Sequence, residues 1–172
     1  MKKLFLLLSA LPLFLFSQSF NQFFLDKTLR VDYHHTGTKG TEIIALDKLY
    51  NEGFWPGSKT QLLDNLNYGE YMLRVYDVTS GAIIYSRGYS CMFNEWHSTD
   101  EALAGIMKTI HETVRIPFPK EKIQLTISRR DKQMIFHELF STVIDPNNAT
   151  AVNIQKRTPQ FKLSKLIDNG VP

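Results

Sequence analysis

Five histidines and one cysteine are the residues of this 172-residue chain from which chemistry would most readily be built. Two of the histidines stand in His-Glu pairs, His111-Glu112 and His137-Glu138. A helical His-Glu-x-x-His would set two imidazoles on one face toward a zinc ion, with the glutamate as general base. Both pairs fail that spacing. The second histidine would have to stand at Arg115 or at Ser141, and both pairs lie in segments of strand periodicity. His34 and His35 are neighbours on a predicted strand, so they point to opposite faces and are poorly placed to chelate one ion. His97, between Trp96 and Ser98, suits packing or hydrogen bonding at a helix start better than ligation. A reactive cysteine needs a base or a positive site to lower its pKa. Cys91 lies between Ser90 and Met92 in an apolar run, which predicts a buried structural thiol. No catalytic residue and no metal ligand is therefore expected in this chain.

Aromatic side chains are the second candidate set. Trp55, Tyr68, Tyr71, Tyr76, Tyr89 and Trp96 could form stacking platforms for a glycan, and the same residues could as well fill a core. Trp55 stands apart because it lies on a turn between Gly53 and Pro56. Tyr68 stands apart because it ends a polar loop just before Gly69. These two are the candidate binding surface. Asn148-Ala149-Thr150 matches a glycosylation sequon, to which no role is attached.

The elements that must hold these residues read mostly as strands. Leu29, Val31 and Tyr33 alternate with Arg30, Asp32 and His34, the period of a half-buried strand over Thr28 to His35. Phe20 to Leu25 reads as a docking strand or one helical turn, Thr36 to Gly40 as a loop, and Thr41 to Tyr50 as a strand. Glu70 to Asp77 and Ala82 to Arg87 form a hairpin about Thr79-Ser80-Gly81. Gly88 permits a bend or bulge before a further strand, Tyr89 to Trp96. Ser98-Thr99-Asp100-Glu101 reads as a capping box for one short helix. Thr109 to Phe118 alternates again, and Pro117 and Pro119 place its end at a sheet edge or outside the sheet. Ile123 to Ser128 and Gln133 to Ile144 form the clearest hairpin. About eight strands and a single capped helix predict an all-β fold, an antiparallel β-sandwich.

Lys2 and Lys3, the apolar run from Leu4 to Phe16, and Ser17-Gln18-Ser19 read as a signal peptide over 1–19, cleaved before Phe20. The run is shorter than the roughly 20 residues of a comfortable membrane span. An exported chain is expected, periplasmic, cell-surface or extracellular, with no membrane association after cleavage. Cleavage would take Lys+Arg from 20 to 18 against 17 Asp+Glu, and the formal charge from +3 to +1. That near-neutral balance argues against a nucleic-acid partner, which rewards a concentrated basic face. With one cysteine there is no internal disulfide, so stability rests on the core of one domain over 20–150. Residues 151–172 read as a linker or docking tail.

Several segments together resemble a known family. They are Phe24 to Tyr33 with His35-Thr36-Gly37, Trp55-Pro56-Gly57-Ser58, Gly69-Glu70-Tyr71, and Val75-Tyr76-Asp77. Ile84 to Gly88, Phe93-Asn94-Glu95-Trp96, Thr99 to Ala102, Val114 to Lys120 and Asp145-Pro146 follow in order. The pattern is similar to the N-terminal domain of bacterial IgA-peptidase-like zinc metallopeptidases, over roughly 20–150. The resemblance implies a secreted, non-catalytic β-sandwich that packs on a C-terminal protease domain of the same polypeptide or engages its substrate. It also implies that zinc belongs to that protease domain, whose His-Glu-x-x-His has no counterpart here, and that the chain is truncated or fragmentary. The alternative is a free-standing exported module that binds a protein or a glycan.

Overall fold

The structure is a computed structural model that describes residues 19–154. The leader expected over 1–19, apart from Ser19, and the tail beyond 154 lie outside the described residues. Eight strands form two four-stranded sheets packed together. The first sheet contains β1 (Phe24–Thr38), β2 (Thr41–Asn51), β5 (Lys108–Pro119) and β8 (Val152–Ile154), in the order β5-β1-β2-β8. The second contains β3 (Tyr71–Asp77), β4 (Ile83–Tyr89), β6 (Ile123–Arg130) and β7 (Phe136–Ile144), in the order β4-β3-β6-β7. Three short helices complete the described residues: α1 (Phe20–Phe23), α2 (Met92–Trp96) and α3 (Asp100–Leu103). All pairings are antiparallel except β2 with β8.

Period-two alternation builds the core. Leu29, Val31 and Tyr33 of β1, Val114, Ile116 and Phe118 of β5, and Leu73 and Val75 of β3 are all buried in one cluster with Ile123, Leu125 and Ile127 of β6. Each fully buried side chain of this size contributes about 1.5–3 kcal/mol. β5 is an edge strand paired only with β1, so Pro117 and Pro119 need no second partner for their missing N–H groups. Opposite them the β1 register slips between Leu25 and Thr28, which leaves Asp26 and Lys27 as a bulge.

The fold departs from the expected elements in five places. The strand expected over Tyr89 to Trp96 is the end of β4 followed by α2. A strand would send Phe93 and Trp96 to opposite faces, whereas three-residue helical spacing puts both into one buried cluster with Ala102. The cap of α3 is shifted by one residue: Thr99, not Ser98, accepts from the Ala102 N–H, and Ser98 Oγ donates to the Glu95 carbonyl. Gly88 makes no bulge. It stays in register opposite Met72, and its missing side chain makes room for the Tyr68 carbonyl. The loop expected from Thr36 shrinks to Lys39-Gly40, because β1 runs on to Thr38 opposite Thr41. The sheet also takes in Val152–Ile154, beyond the boundary expected at 150, with Val152 buried opposite Leu49.

Candidate functional site

Extending each strand's inward phase by one step reaches a polar residue in several strands. His35 follows Leu29, Val31 and Tyr33 on β1. Glu112 precedes Val114 on β5, Glu42 precedes Ile44 on β2, and Arg129 follows Ile127 on β6. These side chains meet Tyr71, the first residue of β3, between the two sheets. The cluster is buried: His35 is 1 % exposed, and Tyr71 and Glu112 are buried with it.

Every polar atom at its centre has a partner. His35 Nε2 lies 2.7 Å from Glu42 Oε1, and His35 Nδ1 lies 3.0 Å from Glu112 Oε2. Tyr71 donates its hydroxyl to Glu42 Oε1 at 2.7 Å, and Arg129 Nη1 donates to Glu42 Oε2 at 2.8 Å. The second oxygen of Glu112 accepts the Phe93 N–H at 3.1 Å. Glu112 thus serves the first turn of α2, since the Cys91 side chain at the N-cap makes no capping bond. The Phe93 ring then stacks on the His35 imidazole at 3.8 Å.

The electrostatics follow from this geometry. Burial opposes a charge on His35, but its contacts with Cys91, Glu112 and Glu42 outweigh burial and raise its pKa to about 10. Burial likewise opposes charge on Glu42 and Glu112, and the same contacts hold both below the usual carboxylate range. Burial raises the Tyr71 pKa, so its phenol stays a donor. His35 is therefore an imidazolium between two carboxylates, and Arg129 supplies the second positive charge.

Cys91 adjoins this centre. Its sulfur and the donor atoms of His35 and Glu112 all lie within 4.8 Å of one another. Cys91 is half-buried at the start of α2, not deep in a strand as expected. Burial raises its pKa, and the His35 ring beside it already faces carboxylates through both nitrogens. No free base is available there to activate the thiol, so a Cys-His nucleophile is not formed.

The other sequence candidates fall apart from this centre. His34 is exposed on the opposite face of β1, near the His111 ring, while His111 Nε2 lies 3.4 Å from Asp47. His137 pairs with Asp131 at 2.6 Å on the surface, next to the exposed Glu138. His97 is buried edge-on to Phe93, and burial and the nearby Arg129 keep its pKa low. Trp55 is only 7 % exposed: its ring meets Tyr85 edge-on, and its N–H donates to the Ser58 carbonyl. The exposed stacking platform expected at Trp55 is thus a core residue. Tyr68, 73 % exposed, stands on the surface. It borders a shallow hollow with Leu66, Met134, Phe136, Arg74 and Arg130, where both arginines lie over the Phe136 ring.

In the sequence Glu112 stands out only as half of a failed zinc motif, and Glu42 and Arg129 carry no motif at all. The available signal was the inward phase of each strand carried one residue past its apolar run.

Two packed sheets, a buried polar centre of paired charges and no activated nucleophile among the described residues define a β-sandwich domain without a recognisable hydrolytic site. Residues 19–141 match the family described as Peptidase M64 N-terminus, and the chain belongs to that family. What the match covers is the non-catalytic N-terminal domain of these peptidases. A search of curated proteins found no match.

Proposed function

We propose that this chain is the accessory domain of a secreted, IgA-peptidase-like zinc metallopeptidase, and that it docks on the protease domain or helps to engage its protein substrate. The observation that carries the reading is the family match over 19–141. The hollow beside Tyr68 supports it. Leu66, Tyr68 and Met134 are exposed around it, and two arginines frame an aromatic floor. Aromatic and arginine side chains together are what interface centres favour.

Free-standing recognition of a protein or glycan is the second reading. It is favoured by the exposure of Tyr68, but Trp55, its expected companion, is buried.

The test is a proteolysis assay on the chain alone, beside the same assay with a peptidase M64 catalytic domain, with and without the chain. No cleavage by the chain alone and a lower KM of the catalytic domain for a protein substrate are expected. Chelator-sensitive cleavage by the chain alone, or an unchanged KM, would overturn the reading.

A further inference from the structure

We propose that His35, Cys91 and Glu112 form a binding site for one divalent transition-metal ion, with zinc the best match to the donor set. An imidazole nitrogen, a thiolate and a carboxylate oxygen are the three ligand types zinc takes from proteins. The three donor atoms come from β1, from the start of α2 and from β5, and all lie within 4.8 Å of one another. Donors about 2.0–2.3 Å from a tetrahedral zinc stand roughly 3.3–3.8 Å apart, so a small side-chain rotation closes the site.

The surroundings are those of a ligand histidine. Coordination would fall to Nδ1, the nitrogen that faces Glu112. Nε2 would keep its proton on Glu42 Oε1, 2.7 Å away, and a carboxylate behind a ligand histidine fixes its tautomer and orientation. Glu42 is itself held by Tyr71 and Arg129. The second oxygen of Glu112 is held by the Phe93 N–H, and the Phe93 ring fixes the plane of the imidazole. Cys91 is half-buried, the most exposed of the three donor residues.

Charge balance supports the same assignment. Without an ion, cationic His35 and Arg129 offset anionic Glu42 and Glu112, and Cys91 is a neutral thiol. A divalent ion displaces one proton from His35 Nδ1 and one from Cys91 Sγ. Two positive charges arrive and two protons leave, so the net charge of the cluster does not change. That exchange avoids the cost of an uncompensated buried charge. The other titratable neighbours are Glu70, which also pairs with Arg129 at 3.3 Å, and His97, Tyr33 and Tyr89. Burial keeps His97 neutral and raises the pKa of both tyrosines, so none of these three alters the balance. With the ion in place, α2 would be tied to β1 and β5 by coordinate bonds.

The test uses the full chain with cobalt(II) and zinc(II). One ion per chain is expected after dialysis, with a sulfur-to-cobalt charge-transfer band in the near ultraviolet. Calorimetry in buffers of different ionisation enthalpy should give two protons released per zinc at neutral pH. Cys91→Ser should abolish the band and lower the proton count to one, and Glu112→Gln should weaken binding at least tenfold. Circular dichroism checks that both variants stay folded. The exposed His34, His111 and Asp47 are the control for surface binding. The proposal is overturned if the wild-type chain takes up no ion. It is equally overturned if a bound ion survives Cys91→Ser and is lost in His34→Ala/His111→Ala.

Discussion

His35 and Glu112 reach each other diagonally across β1 and β5. Glu112 is paired in register with Tyr33 and His35 with Ile110, yet His35 Nδ1 lies 3.0 Å from Glu112 Oε2. The contact lies between the sheets, where a lone charge is costly and a paired one is tolerated. In chelator-treated protein, His35→Ala should destabilise the fold by about 3–5 kcal/mol, because Glu112 loses its cationic partner and Glu42 keeps Arg129 as its one cation beside the Tyr71 hydroxyl. Urea denaturation measures this. A loss below about 1 kcal/mol, no more than one ordinary hydrogen bond, would contradict it.

The same cluster sets a pH dependence in the chelated protein. A histidine whose pKa is raised on folding adds stability that is complete below its unfolded value of about 6.5. For His35 that contribution is lost as pH rises through about 10. Glu42 and Glu112 act in the opposite sense. Their lowered pKa values add stability that is present above about 4.3, the unfolded value, and lost as pH falls through the folded values. Urea midpoints should therefore be highest between about pH 4.5 and 6.5 and decline from there toward pH 10. Glu112→Gln should flatten the alkaline decline. A midpoint that rises from pH 7 to pH 9 would contradict the charge state assigned to His35.

Gly88 and Asp64 hold the loop that carries Tyr68. The Gly88 N–H donates to Asp64 Oδ2 at 2.6 Å, while Asp64 Oδ1 accepts the Leu66 and Asn67 N–H groups at 2.8 and 3.1 Å. A Cβ on Gly88 would collide with the Tyr68 carbonyl, a backbone atom that cannot swing aside. Gly88→Ala should cost about 1–3 kcal/mol, as overpacking does, and loosen the loop. Hydrogen exchange at Leu66 and Asn67 would report the loosening, and unchanged protection there would contradict it.

Much of the sandwich was legible because alternating apolar residues leave few choices. Leu29, Val31 and Tyr33 mark the inward face of β1, and Val114, Ile116 and Phe118 mark that of β5. The helix α2 was not legible, since Phe93 and Trp96 follow a continuous strand-like run and only their spacing separates them from it. The polar centre was not legible because its members are about 94 positions apart at the extremes, from His35 to Arg129, and each looks like the polar end of a buried run. The Trp55 turn suggested exposure, but tertiary packing folds the turn back so that the indole meets Tyr85.

Trp55 and Tyr68 should therefore respond oppositely to truncation. Trp55→Ala removes a buried ring and should cost about 3–5 kcal/mol. Tyr68→Ala should stay within about 0.5 kcal/mol, since its ring is exposed. Thermal or urea melts separate the two, and a large loss at Tyr68 would mean that its ring packs on the fold.

The accessory role is tested most directly by calorimetric titration of a peptidase M64 catalytic domain with this chain and with its Tyr68→Asp variant. Saturable one-to-one binding by the wild type is expected, weakened at least tenfold in the variant while its melting curve stays unchanged. No binding by the wild type, or equal binding by both, would contradict docking through the hollow beside Tyr68.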